Sequence, residues 1–232
     1  MTLSPGSYPT LQAERITEPN RLWAFPVLGA VVKGLLLIPV LVWLSILEFV
    51  VLILIVLNSV VVLFTGSFWQ PAYDFTVGFM RLTAKLSFYL AGLTDKYPGF
   101  GFEIDDRYAL DIQPPEQPNR AFAIPLLGGL VRVILLIPFA IYAYVIVYAT
   151  YLGVLVSSFP VLFGGKYPES IFELVRDAVR IQTAEIAYVA GLSDNYPSFA
   201  ISMNHGTIKG VLFVIGALLM VANVVVSASG NR

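Results

Sequence analysis

The sequence predicts an all-α integral membrane protein. We expect two parallel tandem modules, each a helical hairpin followed by an amphipathic surface helix, and then one C-terminal transmembrane helix. Of the 232 residues, 57% are hydrophobic and only 12% are charged, whereas an average soluble domain has about 25% charged residues. A water-soluble fold of this size cannot bury so much apolar surface. In addition, most of the chain repeats itself without a gap at an offset of 99 residues.

The repeat is clearest where each module ends. Residues 91–100 read AGLTDKYPGF, and residues 190–199 read AGLSDNYPSF. The same offset aligns the Leu-Leu-Ile-Pro sequence that ends at Pro39 with the one that ends at Pro138. These matches predict four parts of the chain: an N-terminal tail, residues 1–13; module 1, residues 14–112; module 2, residues 113–206; and the C-terminal transmembrane helix, residues 207–232.

Each module begins with an apolar stretch that is too long for one straight membrane crossing. In module 1 it covers residues 22–64, about 65 Å as a continuous helix, whereas the hydrocarbon core is about 30 Å thick. Pro39 lies near its middle, and proline disrupts a helix interior. We therefore predict a hairpin of two helices in each module: residues 22–38 and 40–64, then residues 121–137 and 138–163. The alternative is one long helix kinked at Pro39, with its first part in the membrane interface.

After the apolar stretch, each module continues with a helix of mixed character, residues 71–93 and residues 169–192. In module 2 the charged side chains recur at helical spacing on one face: Glu173, Arg176, Asp177 and Arg180. Charges this dense are costly in hydrocarbon. We predict amphipathic helices at the membrane surface, with their charged faces toward partners or lipid head groups. A third, buried spanning helix is the alternative.

Residues 208–227 form the clearest single span, about 20 apolar residues long with Lys209 at its start. The prediction is then five spans, with both ends of each module on the same side of the membrane. The basic residues beside the spans favour the cytoplasm for that side. We expect the tail to be poorly ordered. Residues 99–104 and 199–203 alternate in polarity, and we expect them to form short paired strands outside the bilayer.

Glu48 lies in the middle of an apolar run, and its counterpart in module 2 is Val147. An intramembrane carboxylate is a candidate functional group that would carry a proton or bind a cation or a polar head group. The structural alternatives are a hydrogen bond with Ser45, one turn earlier, or an ion pair with a neighbouring helix. Because only one module has this carboxylate, a symmetric pathway through both modules is not expected.

Three tyrosines align on one face of the fourth predicted span: Tyr144, Tyr148 and Tyr151. They either line a ligand cleft or pack against another helix, and packing is the commoner role. Five basic residues are candidates for contact with lipid or with a partner: Lys33, Arg81, Arg132, Arg176 and Arg180. Lys33 and Arg132 occupy equivalent positions, where basic groups bind lipid phosphate or extend to the interface to keep their charge in water. For these two we favour the second interpretation.

The recurring aspartates Asp95 and Asp194 each lie two residues before a tyrosine, Tyr97 or Tyr196, in the motif Thr/Ser-Asp-x-Tyr-Pro. Paired aspartates suggest a catalytic dyad, yet Asp side chains cap backbone N–H groups in turns and helices usually end before proline. We interpret all four residues as a structural turn that ends each surface helix. We also expect salt bridges that tie each module's start to its end: Arg21 to Asp95, and Arg120 to Asp194.

The composition excludes several classes of site. The chain has no cysteine, which rules out disulfides, iron–sulfur clusters and thiolate metal sites. Its single histidine, His205, leaves at most one axial ligand for a haem. No pattern of a phosphate-binding loop, a zinc protease or a serine hydrolase is present. A net charge of −1 does not suit nucleic acid. We therefore expect no enzyme activity, no cofactor and no metal.

The repeated unit resembles the DUF4389 domain, a bacterial family of membrane proteins without a known activity. The resemblance rests on Leu-Ile-Pro, on the Leu-Phe-x-Gly sequences at 63–66 and 162–165, and on Thr/Ser-Asp-x-Tyr-Pro. Further points of likeness are an acidic residue and an arginine in the following helix: Asp74 and Arg81, then Glu173 and Arg180. Module 1 departs from the pattern at Ser67-Phe68-Trp69, where the family has Lys-Tyr-Pro. The resemblance covers nearly the whole chain before residue 206 and implies a bacterial membrane location.

These observations favour a non-catalytic accessory or scaffold subunit of a larger membrane complex, in the bacterial inner membrane and multi-pass. Its partners would be the lipid bilayer and other membrane subunits. One alternative is a small transporter or channel that uses Glu48. Another is a quinone- or pigment-associated subunit of an electron-transfer or photosynthetic complex.

Overall fold

In the part of the chain that the structure describes, five α-helices and a small sheet make up the fold. The structure is a computed structural model that describes residues 2–3, 9–103, 107–202 and 204–229. The helices are α1, Leu28–Thr65; α2, Gln70–Leu90; α3, Leu127–Gly164; α4, Glu169–Val189; and α5, Gly206–Ser229. Each module thus contributes one long and one short helix, and α5 follows both modules.

The predicted hairpins at Pro39 and Pro138 are wrong, because each module has one continuous 38-residue helix there. A proline in a helix interior removes one backbone hydrogen bond and costs about 3 kcal/mol. A chain reversal at the same point would leave about four N–H and four C=O groups unpaired at the new helix ends. Continuing the helix is the less costly arrangement, and it corresponds to the alternative of one long helix.

A tyrosine from the end of each module contacts the long helix beside its proline. The Tyr97 hydroxyl donates to the Leu36 carbonyl at 3.1 Å, and the Tyr196 hydroxyl donates to the Leu135 carbonyl at 3.3 Å. Each of these carbonyls follows the one that the proline leaves without its usual N–H donor. The two motifs that recur most clearly, Leu-Ile-Pro and Tyr-Pro, are therefore in contact.

A short 3₁₀ turn precedes each long helix, at Arg21–Ala24 and Arg120–Ala123. These turns occupy the predicted starts of the first and third spans, so α1 and α3 begin several residues later than expected. The start of the helix lies very close to the turn. A Cβ atom on Gly29 would be only 2.2 Å from the Trp23 carbonyl oxygen. Glycine is the residue that permits this approach of backbone to backbone.

Three helices, α1, α3 and α5, are long and apolar enough to cross a membrane, which indicates a membrane protein. The prediction of five spans is wrong, since each predicted hairpin is a single helix. At 1.5 Å per residue, α1 and α3 are about 57 Å long, well beyond the roughly 30 Å of the hydrocarbon core. A straight crossing therefore does not use their full length.

The chain also forms an antiparallel sheet of three strands in the order β1-β2-β3. The strands are β1, Thr2–Leu3; β2, Thr10–Ala13; and β3, Tyr108–Asp111. Thr10 lies opposite Asp111, and Ala13 lies opposite Tyr108. The sheet thus joins the segment predicted as a tail to the end of module 1.

The sheet corrects two predictions. Residues 9–13 are ordered by packing, because Leu11 and Ala13 in β2 are fully buried. The strands expected at 99–104 and 199–203 are absent from residues 99–103 and 199–202, and residues 104 and 203 lie outside the described chain. The sequence signal for β3 is an alternation in which Tyr108 and Leu110 turn inward.

The short helices α2 and α4 lie side by side at the centre of the fold. Helix α1 packs on α2, and α3 packs on α4; β3 contacts α2, and β2 contacts α4. Helix α5 packs mainly on α3 and also touches α4. Along the described residues α1 and α3 are not in contact. We call the gap between them, with α2 and α4 as its floor, the central cleft.

The charged face of α4 does not point outward as predicted, because 16 of the 21 residues of this helix are buried. The start of α5, the segment before it and strand β2 cover this helix. An amphipathic pattern shows that a helix has a polar face, but not whether another part of the chain covers that face.

Candidate functional site

The repeated sequence at the end of each module contacts the residues at the start of the same module. The Asp95 carboxylate accepts a hydrogen bond from the Asn20 backbone N–H at 2.7 Å, and the Asp194 carboxylate accepts one from the Asn119 N–H at 2.7 Å. We name the two sites clasp 1 and clasp 2. Clasp 1 consists of Asn20, Trp23, Lys33, Tyr89 and Asp95. Clasp 2 consists of the equivalent residues Asn119, Phe122, Arg132, Tyr188 and Asp194.

The aspartates follow a tight turn at the end of the short helix. In module 1, Gly92 has a φ of +74°, and the Leu93 N–H donates to the Phe88 carbonyl at 2.9 Å. The positive φ is a conformation that glycine adopts without strain. The Thr94 hydroxyl then accepts a hydrogen bond from the Lys96 N–H at 3.1 Å. The turn holds the carboxylate in position for the clasp.

The expected salt bridges of Arg21 with Asp95 and of Arg120 with Asp194 are wrong. Each aspartate accepts a hydrogen bond from a backbone N–H instead of a guanidinium. Each arginine contacts the other module. Arg120 donates to the Thr65 carbonyl at 3.3 Å, and the Arg21 guanidinium lies beside Gly165. Each arginine thus lies at the C-terminal end of the other module's long helix, where free carbonyls and the helix dipole favour a cation.

Lys33 and Arg132 are almost fully buried, with exposed fractions of 2% and 3%, so neither extends to the interface as favoured from the sequence. The Lys33 ammonium lies 4.9 Å from the ring centre of Tyr89 and 6.0 Å from that of Trp23. The Arg132 guanidinium lies 4.9 Å from the rings of both Tyr188 and Phe122. Aromatic faces stabilise cations at such distances.

The two clasps differ in how the cation meets the aspartate. Arg132 forms an ion pair with Asp194 at 2.5 Å and also donates to the carbonyls of Tyr188 and Ser193, at 2.9 and 2.6 Å. Lys33 donates to the Tyr89 carbonyl at 3.0 Å, and in the described chain it forms no ion pair. Clasp 2 is therefore internally neutralised, whereas in clasp 1 the ammonium and the carboxylate stay apart.

Each clasp borders a cavity of the central cleft. The cavity at clasp 1 has a volume of about 690 Å³ and that at clasp 2 about 200 Å³. Lys33 and Asp95 line the larger cavity, and Arg132 and Asp194 line the smaller one. Away from the clasp the larger cavity is mostly apolar, and its wall includes these residues of α3 and α4: Val147, Val154, Leu155, Val175, Ala178 and Val179.

A third cavity, of about 470 Å³, adjoins the cavity at clasp 1 and shares Val147 and Tyr151 with it. Tyr144 also lines it, so two of the three aligned tyrosines face the cleft. The Glu185 carboxyl lines this cavity as well, and partial burial raises its pKa. Glu185 was not predicted as a site residue, because its position on α4 has no counterpart charge in module 1, where Leu86 stands.

Both repeated modules match a known protein family. The family model described as "Domain of unknown function (DUF4389)" matches residues 28–102 and again residues 128–200. The chain belongs to the DUF4389 family. It carries two copies of the domain in tandem, which confirms the resemblance seen in the sequence. A comparison with curated proteins and one with solved structures gave no match.

The DUF4389 matches contain the clasp cations and aspartates but do not extend to α5 or to strands β2 and β3. In this member of the family, α5 covers the charged face of α4. Lys209 of α5 pairs with Glu173 at 2.7 Å, and Ser202 and Asn204 donate to the same carboxylate at 3.0 and 3.1 Å. Burial alone would raise the pKa of Glu173, but these hydrogen bonds outweigh it and hold the pKa below its ordinary value.

Two further arginines of α4, predicted to contact lipid or partners, are buried among groups of the same chain. Arg176 pairs with Asp177 at 2.9 Å, and Arg180 donates to the Ala200 carbonyl. The expectation of an exposed charged face on α4 is therefore wrong. In α2 the equivalent Arg81 donates to the Leu110 carbonyl of β3 at 3.2 Å. Contact of Arg81 with lipid or a partner stays a prediction, whereas Arg176 and Arg180 are buried within the chain.

Glu48 is exposed on α1 and has no partner among the described residues. The Ser45 hydroxyl donates to the Leu41 carbonyl at 3.0 Å, so the proposed Ser45 hydrogen bond does not form. Val147, the counterpart of Glu48 in module 2, lines two cavities of the central cleft. In the described residues no cluster of three or more His, Cys, Asp or Glu side chains is arranged to hold a metal ion.

Proposed function

We propose that this protein is a non-catalytic, multi-pass accessory protein of the bacterial inner membrane that holds an amphipathic, lipid-like molecule in its central cleft. The observation that carries the proposal is the cavity at clasp 1. Its volume of about 690 Å³ lies within the usual range of ligand sites, about 300–1,000 Å³. Its apolar wall suits a hydrocarbon chain, and the charged groups of clasp 1 stand at one end.

The geometry suits an amphipath better than a wholly polar or a wholly apolar ligand. A polar solute would leave the side chains of Val154, Val175 and Ala178 against its hydrogen-bonding groups, which is costly. A wholly apolar ligand would leave the Lys33 ammonium and the Asp95 carboxylate without further partners. Both ends of the cavity are satisfied by a molecule with a polar head and a long apolar tail.

The test is to compare the lipids that remain bound after purification in mild detergent. We expect that Val147→Phe, which fills the cavity from α3, lowers the amount of retained lipid at least about tenfold. The matched control is Val42→Phe, the same change in volume at an exposed position of α1. Equal lipid in both variants and in the unchanged protein would overturn the proposal. The same mass spectra report a quinone or pigment, which would replace a lipid as the ligand.

A second candidate function, a scaffold subunit of a larger membrane complex, is favoured by a difference between the two long helices. On α3, α5 approaches so closely that a Cβ atom on Gly216 would lie 2.8 Å from the Ala149 nitrogen. The equivalent face of α1, at Ile46 and Val50, is not covered by any described helix. We propose that one apolar transmembrane helix of a partner subunit packs there, because lipid-facing helices associate through such packing.

The absence of cysteine makes this face testable by cross-linking in membranes. We expect that Ile46→Cys forms a cross-link to a partner that co-purifies in mild detergent. Leu52→Cys, on another side of α1 and exposed to a similar extent, is the matched control. A cross-link of equal yield at both positions, or at neither, would count against a partner on this face.

A further inference from the structure

The two clasps are a natural comparison, since they are built alike and differ in two side chains: the cation, Lys33 or Arg132, and one aromatic ring, Trp23 or Phe122. In clasp 2 the guanidinium of Arg132 reaches Asp194 at 2.5 Å. In clasp 1 the lysine is shorter, and its ammonium turns to the Tyr89 carbonyl at 3.0 Å. The Asp95 carboxylate lines the same cavity as Lys33, but the two groups form no ion pair within the described chain. A cation and an anion therefore line the same cavity without contact.

Both groups of clasp 1 keep unused hydrogen-bonding capacity. An ammonium has three N–H donors, and the described contacts use one, to Tyr89. One oxygen of the Asp95 carboxylate accepts the Asn20 N–H, and the other has no partner in the described chain. A ligand that completes both must accept a hydrogen bond at Lys33 and donate one at Asp95.

We infer that clasp 1 recognises the head group of a zwitterionic phospholipid with a primary amine, such as a phosphatidylethanolamine. Its phosphate lies at Lys33, its ammonium lies at Asp95, and an acyl chain follows the apolar wall toward Val154. This inference rests on the proposed function and adds the chemical class of the ligand. Phosphate oxygens accept hydrogen bonds from an ammonium, and an amine donates to a carboxylate.

Other head groups satisfy only half of this site. An anionic head group without an amine would leave Asp95 facing a phosphate, and like charges repel. A choline head carries a positive charge but has no N–H to donate. The cavity at clasp 2 is not a second site, because Asp194 is already paired and the cavity is only about 200 Å³.

The experiment measures binding of lipids with identical acyl chains and different head groups to the delipidated full-length protein, by native mass spectrometry. We expect phosphatidylethanolamine to bind at least about tenfold more tightly than phosphatidylglycerol or phosphatidylcholine. Lys33→Arg should abolish this preference, because an arginine can reach Asp95 as Arg132 reaches Asp194. Equal preference in the unchanged protein and in Lys33→Arg would overturn the inference, as would a preference for phosphatidylglycerol.

The control variant is Arg132→Lys, which makes the same exchange in the opposite direction at clasp 2. We expect it to leave the head-group preference at the larger cavity unchanged. Soluble glycerophosphoethanolamine serves as the probe for the head group without its chains, and it should bind far more weakly than the whole lipid. Binding of equal strength would mean that the site takes a free phosphate ester, which overturns the lipid assignment.

The outcome separates the inference from the proposed function on which it rests. If lipids bind with no regard to head group but still depend on Val147, the cavity holds an amphipath and only the assignment of clasp 1 is wrong. If no lipid binding depends on Val147, the proposed function fails, and the head-group assignment fails with it. A folded state for every variant is verified by its thermal unfolding in the same detergent.

Discussion

At the scale of single residues, the most consequential groups are charges that the fold buries and pairs. Glu173 accepts hydrogen bonds from Lys209, Ser202 and Asn204, at 2.7, 3.0 and 3.1 Å. A buried ion pair adds little net stability, because removing both charges from water is costly. Removing only one partner is far worse, since it leaves the other charge buried and unpaired.

We expect Lys209→Met to destabilise the protein by about 3–5 kcal/mol, because it leaves the Glu173 carboxylate without its cation. The measurement is chemical or thermal unfolding in detergent. The matched control is Glu169→Gln, which breaks the exposed 3.7 Å pair with Arg15 and should cost less than about 1 kcal/mol. Equal effects of the two substitutions would show that the Glu173 pair is not buried as described.

The stability of the protein should also depend on pH through Glu173. Its pKa in the folded state lies below the ordinary value of about 4.5. A lowered carboxyl pKa contributes stability above the unfolded pKa, and this contribution is lost as the pH falls through the folded pKa. We expect the melting temperature to fall below about pH 4.5, and to fall less steeply in Glu173→Gln. An unchanged slope in that variant would contradict this assignment.

At the scale of elements, the long helices decide the architecture. Each continues through its proline, and a tyrosine hydroxyl from the end of the same module contacts it there. The apolar composition of the stretch predicts helix on both sides of the proline equally well. Whether the chain reverses depends on the unpaired backbone groups that a reversal would create, which favours continuation.

The continuity of α1 can be measured directly, because the chain has no cysteine to remove. Spin labels on Val32→Cys and Ile46→Cys flank Pro39 at equal spacing and are both exposed. A continuous helix places these positions about 21 Å apart. A hairpin at Pro39 would bring them to about 10 Å, the usual distance between packed helices. A distance near the smaller value would contradict the single helix.

At the scale of the whole molecule, α5 makes the two modules unlike. It packs along α3 and covers the charged face of α4, whereas no helix among the described residues covers α1 in this way. The close approach depends on Gly216, where a Cβ atom would lie 2.8 Å from the backbone nitrogen of Ala149. The equivalent modules thus present different surfaces, one covered by α5 and one left uncovered by the described helices.

We expect Gly216→Ala to lower the stability of the protein by about 1–3 kcal/mol, because the added methyl group forces α5 away from α3. Gly210→Ala is the matched control, since no atom lies within 4 Å of a Cβ atom there. In an open helical position alanine is favoured over glycine by up to about 1 kcal/mol. Unfolding measured by intrinsic fluorescence compares the two, and a stabilising effect of Gly216→Ala would contradict the close packing.

Several features of the fold follow from local patterns alone. The sequence predicts the helical character of α2, α4 and α5. It also predicts the tandem repeat and the turn after each short helix. The carboxylates of the clasp aspartates accept hydrogen bonds from the start of the module, and local patterns do not predict these partners. The aromatic residues around Lys33 also recur at the repeat offset, as Trp23 with Phe122 and Tyr89 with Tyr188. That recurrence is the signal in the sequence that marks the clasp.

The sequence by itself determined the composition of a membrane protein, the family and its repeated module, because these depend on residue types and on spacing along one chain. Only the tertiary structure decided that Lys33 and Arg132 are buried, that α4 turns its charges inward, and that a cleft separates α1 from α3. The physical reason is that burial and pairing depend on two surfaces in contact. The sequence pattern of a helix describes one surface, and only the fold shows which surface packs against it.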